Sequence, residues 1–371
     1  MDGGLTASLI NGTLFINEAP GSLGLDQGVQ VAQLPTGHVR VTGLEAPGGG
    51  ATLINGATTR IFNHPTNIVM GLGSGQDLVQ VLNTRVKNIQ ILAESPSGSP
   101  NDNDFVNLTG VRTTGVVDIR MGAGVDTVTV LNSTIGDGVG LDDLKITTGV
   151  PTAIGLADSD TVLLQGVATK SATIITTGAS NDHVFIRDSK LGNDINDFLS
   201  IRTGAGADNV EIGPPVGQLG NFQQVGGNIV IQTFDSAAEA DDDKVRLQQL
   251  TFESALVQLG EGNDELTMLG DTATKTIQLE GMGGNDKMNL TEVEALDSFF
   301  ALMGQGNDVL NTTFIKARRA MTLDGGPGFD SLTRSQTVFV PNLKIQNWEV
   351  INGKLVLSVN PLDVGLTPSK A

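Results

Sequence analysis

Eleven aspartates recur through this chain at a nearly constant interval: Asp77, Asp104, Asp126, Asp160, Asp182, Asp208, Asp243, Asp264, Asp286, Asp308 and Asp330. Their spacings are 27, 22, 34, 22, 26, 35, 21, 22, 22 and 22 residues. A carboxylate repeated at one phase has two chemical uses. It can supply oxygens to a hard cation such as calcium, which takes roughly six to eight of them. It can instead accept hydrogen bonds from the backbone N–H groups of its own turn. If the turns stack, neighbouring carboxylates in the column of Asp264, Asp286, Asp308 and Asp330 stand about 5 Å apart. At that distance they repel by about 1 kcal/mol in water, and by more in a lower dielectric.

The elements that position these acids are legible in the residues around them. The repeated unit reads apolar-x-apolar-G-x-G-x-D-x-apolar-x-apolar, as in MGLGSGQDLVQV, IRMGAGVDTVTV, IRTGAGADNVEI, VQLGEGNDELTM, ALMGQGNDVLNT and TLDGGPGFDSLT. ITTGASNDHVFI and LEGMGGNDKMNL are weaker copies, and PNDNDFVNL, LADSDTVLL and EADDDKVRL carry Asp where the second glycine stands elsewhere. After each Asp, apolar and polar residues alternate, so that Val128 and Val130, Val210 and Ile212, and Leu266 and Met268 share one face of a strand. The glycines supply the positive φ of a tight turn. One such unit cannot bury its apolar face alone, whereas stacked units bury a continuous core. About 22 residues at roughly 3.3 Å each suit a coil of two or three strands. The expected fold is all-β, a parallel β-helix (β-solenoid), right-handed as parallel crossovers nearly always are. An antiparallel sandwich or propeller is the alternative.

Outside the motif the pattern loosens. Residues 1–68 hold strands without a clean repeat and read as an N-terminal cap and irregular first coils, with Asp26 in GSLGLDQGVQV as a degenerate first turn. Residues 69–334 are the regular repeats, 335–360 a C-terminal coil and cap carrying Trp348, and 361–371 a tail. Caps are needed because an open end exposes unpaired strand edges. Insertions cover 132–142, 188–197 and 213–226 and are expected to leave the rod on one side. The Asn before the motif Asp (Asn181, Asn263, Asn285, Asn307) is expected to form a stacked amide ladder.

The turns, most fully LDGGPGFDSL around Asp330 and LGEGNDEL around Asp264, resemble the RTX or haemolysin-type calcium-binding repeat, G-G-x-G-x-D-x-apolar-x. The resemblance covers the turns from about 71 to 334. It does not extend to the coil, because the RTX repeat has a period of nine and one motif occurs here per 22 residues. The resemblance implies calcium held by the motif Asp and by backbone carbonyls. Carried over, the candidate ligands are Asp77, Asp126, Asp208, Asp264, Asp308 and Asp330, with Asp286 and Asp182 as poorer matches. The D-x-D turns put two acids in one place and add Asp102 with Asp104, Asp158 with Asp160, and Asp241 with Asp243.

Composition bounds the remaining readings. The chain has 371 residues, 48 Gly, 13 Phe, one Trp, no Tyr and no Cys, with net charge −19. Without cysteine there is neither disulfide nor thiolate metal site. The acidic surface argues against nucleic acid as a partner. No apolar run is long enough to span a bilayer as a helix. MDGGLTASLING is not a signal peptide, so a secreted or surface-associated bacterial protein would carry its signal outside this chain. Catalysis has little to stand on: His38, His64 and His183 are scattered, and no helix follows the glycines to make a dinucleotide site. The reading is a non-enzymatic scaffold, possible self-association or surface polysaccharide being its partners. A carbohydrate-binding or polysaccharide-degrading β-helix, or a filament subunit, is the alternative.

Overall fold

The computed structural model describes residues 4–22, 24–93, 102–137, 143–149, 159–215, 218, 223–234, 241–335, 340 and 342–355. Among these residues every regular element is a β-strand and there is no helix. The strands form three long sheets of 15, 16 and 10 members that run the length of the molecule. One coil shows the pattern. Ala255–Glu261 lies in the first sheet, Glu265–Leu269 in the second and Thr272–Ala273 in the third, and Ile277–Gly283 then returns to the first. Each strand of the solenoid body pairs in parallel with its counterpart one coil away, as in Leu266↔Met288, Met288↔Leu310 and Leu310↔Leu332. The chain is therefore a parallel β-helix with a three-sided coil, and this pairing rules out the antiparallel sandwich.

The alternation in the sequence sets which face is inside. Leu266, Met268, Val128, Val130, Val210 and Ile212 are all buried, while the residues between them face outward, half-buried. The core runs without a break from Leu5 to Trp348. The third sheet has two-residue strands over most of its length; its buried side chains include Ile135, Leu191, Val225 and Phe252 and end in the column Ala273, Ala295 and Ala317.

The two ends are closed by antiparallel strands. Gly4–Ile10 pairs antiparallel with Thr13–Glu18, and Val39–Gly43 lies between Gly28–Gln33 and Thr59–Phe62. Thr13–Glu18 and Gly28–Gln33 already pair in parallel with the first motif-bearing coil, so the solenoid begins before the motif does. At the other end Val350–Ile351 turns back on Lys354–Leu355. Trp348 is buried there, and its indole Nε1 donates to the Leu323 carbonyl at 3.1 Å. These hairpins cover the first and second sheets at the N-terminal end and the second sheet at the C-terminal end, where a bare solenoid would present a parallel strand edge.

The corner between the second and third sheets has its own rule, which the repeat did not disclose. Six residues after the motif Asp the backbone turns left-handed, at Asn83, Asn132, Asp188, Gln249, Glu292 and Phe314, with glycine at Gly110, Gly166 and Gly270. Asn and Asp tolerate this conformation better than bulky residues do. The insertions use two corners rather than one side. Those at 132–142 and 188–197 take in the third-sheet strands Thr134–Ile135 and Lys190–Leu191 and lead on to the first sheet, and that at 213–226 leads from the second sheet into the third-sheet strand Gln223–Val225. The first two are built alike. Gly136 and Gly192 donate their N–H to Thr113 and Thr169 of the preceding coil. Asp143 and Asp197 tuck beneath those glycines.

The glycine two places before the Asp is needed for close approach. Gly306 takes φ +138°, and a Cβ there would strike the carbonyl oxygen of Gly284, which stands the same way on Gly262. In the two weaker copies Ser180 (φ 82°), two places before its Asp, and Met282 (φ 80°), four places before its Asp, take left-handed positions of the same turn. Gly306→Ala should therefore lower stability by about 2 kcal/mol or more, through both φ strain and a backbone collision. Gly56→Ala, at φ +73° with open space around it, should cost only about 1 kcal/mol. Melting followed by circular dichroism compares them, and equal losses would refute the stacking argument.

Candidate functional site

The recurring aspartates stand at the corner between the first and second sheets, one per coil, and all are buried. Their carboxylates do not accept from their own turns. Each Oδ1 accepts the backbone N–H of the aligned Asp one coil earlier. Asp77 donates to Asp104, Asp104 to Asp126, Asp126 to Asp160, Asp160 to Asp182 and Asp182 to Asp208, at 2.7–2.8 Å. Asp208 donates to Asp243, Asp243 to Asp264, Asp264 to Asp286, Asp286 to Asp308 and Asp308 to Asp330, at 2.7–3.0 Å. The carbonyl of each Asp accepts in turn from the next coil, as Lys287 N–H to Asp264 and Val309 N–H to Asp286, both 2.8 Å. Each Asp thus joins three successive coils.

The column extends beyond the motif at both ends. Gln27 occupies the first place, donating its N–H to Asp77 Oδ1 at 2.8 Å. Its neighbour Asp26 stands in the adjacent column and accepts from Gln76 N–H. The degenerate first turn therefore sits one residue later than Asp26. Glu349 ends the series, accepting Asp330 N–H at 2.7 Å. Only alignment of the irregular coils by their strands could have found Gln27 and Glu349.

A second ladder runs beside the first with the opposite polarity. Asn285 N–H donates to Asn263 Oδ1, Asn307 N–H to Asn285 Oδ1 and Phe329 N–H to Asn307 Oδ1. Asn181 accepts in the same way from Ala207. The D-x-D turns add a third. Asp102 accepts from the Gly75 N–H and Asp241 from the Gly206 N–H, so the extra acid takes up the N–H of a turn glycine one coil back. Asp158 lies outside the described residues. Asp271, at the next corner, accepts from both Leu250 and Leu269 N–H. Ser133 and Ser189 take the same role for Val111 and Val167.

The ladder uses one oxygen of each carboxylate. Oδ2 of Asp77, Asp104, Asp264, Asp286, Asp308 and Asp330 is buried without a hydrogen-bond partner. Burial is the main reason these groups hold their protons. Asp77 is pushed up to about 9, Asp104 to about 11, Asp286 to about 8, Asp264 to about 7 and Asp330 to about 6. Asp308 is raised for the same cause. The N–H bond pulls each value down, and neighbouring acids of the column push it further up. Asp208 and Asp243 rise to about 9 and about 8, again chiefly through burial.

The donors visible for a cation are few. Beside Asp286 and Asp330, Gly281 and Gly325 face a gap between Oδ2 and a backbone carbonyl, of Met303 and Asn347 respectively, that is too narrow for a methyl group. Those two oxygens fall short of the roughly six to eight that calcium takes. Among the described residues no group of three or more His, Asp or Glu is arranged to hold a metal. The histidines lie elsewhere: the rings of His38 and His64 meet at a tilt of 42° with centres 4.8 Å apart, and His183 stacks on Phe185.

Fold and column together define a parallel β-helix whose repeated acid is an internal coil-to-coil acceptor. No protein-family model matches the chain, and no curated protein or solved structure does.

Because the folded state holds these protons more tightly than an unfolded Asp near 3.8, stability falls as pH rises between 3.8 and the raised values. The melting temperature in calcium-free buffer should therefore be higher at pH 5 than at pH 8. A flat or opposite profile would count against a protonated column. Asp286→Asn keeps an acceptor for the Asp264 N–H and removes a titrating group. It should hold its melting temperature at pH 8 and show a shallower pH profile. Asp286→Ala strands that N–H and should lose about 1–3 kcal/mol at both pH values.

Proposed function

We propose that this chain is a non-enzymatic scaffold, a rigid β-solenoid rod working outside the cell or on its surface. What carries the reading is where the repeated acid is spent. The one side chain that recurs in every coil is turned inward and bonds coil to coil, whereas chemistry on a substrate would need it turned outward. Among the described residues no outward side chain recurs in every coil, the exposed asparagine ladder at Asn263, Asn285 and Asn307 being confined to three. Closed ends fit a rod of set length, and the net charge of −19 keeps such rods apart in solution.

Calcium is the second reading, favoured by the unpartnered Oδ2 atoms beside Gly281 and Gly325. In the scaffold reading the column stands without metal, as carboxyls that keep their protons, and calcium adds little near neutral pH. Protein dialysed against a chelator should keep its β-sheet circular dichroism and its rod shape in electron micrographs. Millimolar calcium should then leave the melting temperature within a degree or two. A rise of several degrees that Asp330→Asn abolishes would assign calcium a structural role, since ligand bound only to the folded state stabilises it by mass action.

A further inference from the structure

One groove on the outer surface is built for a ligand in a way the aspartate column is not. Near the N-terminal end of the third sheet, Arg85 and Arg112 are register partners in adjacent coils. Their side chains are exposed, about 4.8 Å apart along the rod. Among the described residues neither guanidinium has an acidic partner, although Arg120, Arg246, Arg318 and Arg319 all do. Two stacked cations without a counter-ion, in a chain of net charge −19, leave unused the attraction that the rest of the surface offers.

The two arginines lie in a groove of about 620 Å³, inside the roughly 300–1,000 Å³ range of small-ligand sites. One wall is the tip of the cap hairpin from Gln33 to Gly37. Gln33 fastens that tip to the coil: its Oε1 accepts from Arg85 N–H at 3.1 Å and its Nε2 donates to the Gly37 carbonyl at 3.2 Å. The other wall is three successive corners, Asn83, Gly110 and Asn132. The glycine between the two asparagines lies beneath the Asn83 amide, whose Oδ1 stands close to where a Cβ would be, and both asparagines are exposed. No carboxylate and no aromatic ring lines the groove.

This chemistry selects its ligand. Paired guanidinium forks bind a carboxylate or sulfate in bidentate fashion. The amides of Asn83 and Asn132 both donate and accept, which suits sugar hydroxyls. A groove whose apolar lining is only Leu34 and Pro35, with no aromatic ring, does not suit a flat cofactor, and the acidic rod repels a long polyanion such as nucleic acid. We propose that this groove binds an acidic oligosaccharide, seating its carboxylate or sulfate over Arg85 and Arg112 and its hydroxyls against Asn83 and Asn132. The proposal goes beyond the scaffold reading by giving the rod a ligand at one defined place.

Calorimetric titration of the full chain at low salt tests it, with trigalacturonate, sulfated maltotriose, neutral maltotriose and sodium sulfate as probes. At least one acidic trisaccharide should bind, and more tightly than the neutral sugar or the free anion. Arg85→Gln combined with Arg112→Gln should weaken binding about tenfold or more without moving the melting temperature. Arg318→Gln, near the other end of the same face, should change nothing. Failure of both acidic sugars to bind at millimolar concentration would overturn the proposal. So would equal binding of neutral maltotriose or of sulfate alone, or full affinity in the double variant.

Discussion

A parallel solenoid has a problem at its corners. Along the strands each backbone N–H meets a carbonyl of the next coil, but where the chain turns that pairing lapses and N–H groups are left inside. An unpaired buried N–H costs about as much as a lost hydrogen bond. Here the lapse falls on the motif residue itself, and the carboxylate of the same residue one coil on repairs it. Aspartate suits the place because its side chain is short enough to stay inside the turn and reach across one coil step. Where the coils become irregular, Gln27 and Glu349 hold the first and last places. The glycines follow from the same constraint in the regular coils, since at Gly262, Gly284 and Gly306 a Cβ would strike the backbone of the preceding coil.

Satisfying the N–H in this way has an electrostatic consequence. The carboxylates are sealed in a dry column one coil step apart, where charged forms would be both desolvated and mutually repelled. Their protons are therefore held well above the ordinary range, as at Asp77, Asp104 and Asp208. A ladder of neutral acids keeps its acceptor oxygens and sheds the repulsion. It also withdraws the repeated acid from surface chemistry. Any recognition by the rod must come from side chains that vary from coil to coil, and the unpaired arginines in the groove under the cap hairpin are one such set.

The repeat was readable because glycine, aspartate and a strand of period two recur at one phase, and such recurrence has few physical solutions other than stacking. The inward residues Val128, Val130, Leu266 and Met268 and the asparagine ladder at Asn263, Asn285 and Asn307 follow from pattern alone. The third side of the coil was harder to see. Its strands are mostly two residues long, too short for any periodicity, and its corner is marked only by a left-handed residue whose identity ranges from Gly270 to Phe314.

What the sequence by itself determined is the solenoid, its coil length and which strand residues face inward, because these depend on local alternation and on turns that only glycine makes easily. What the tertiary structure alone decided is the use of the aspartates. Whether a turn acid meets a cation, its own backbone or the backbone of a neighbour depends on the offset between stacked coils. That offset is set by parallel pairing between strands some 22 residues apart, which no single turn contains. The groove at Arg85 and Arg112 has the same origin, since its two arginines, its hairpin wall and its corner asparagines come from separate segments that only the winding of the chain brings together.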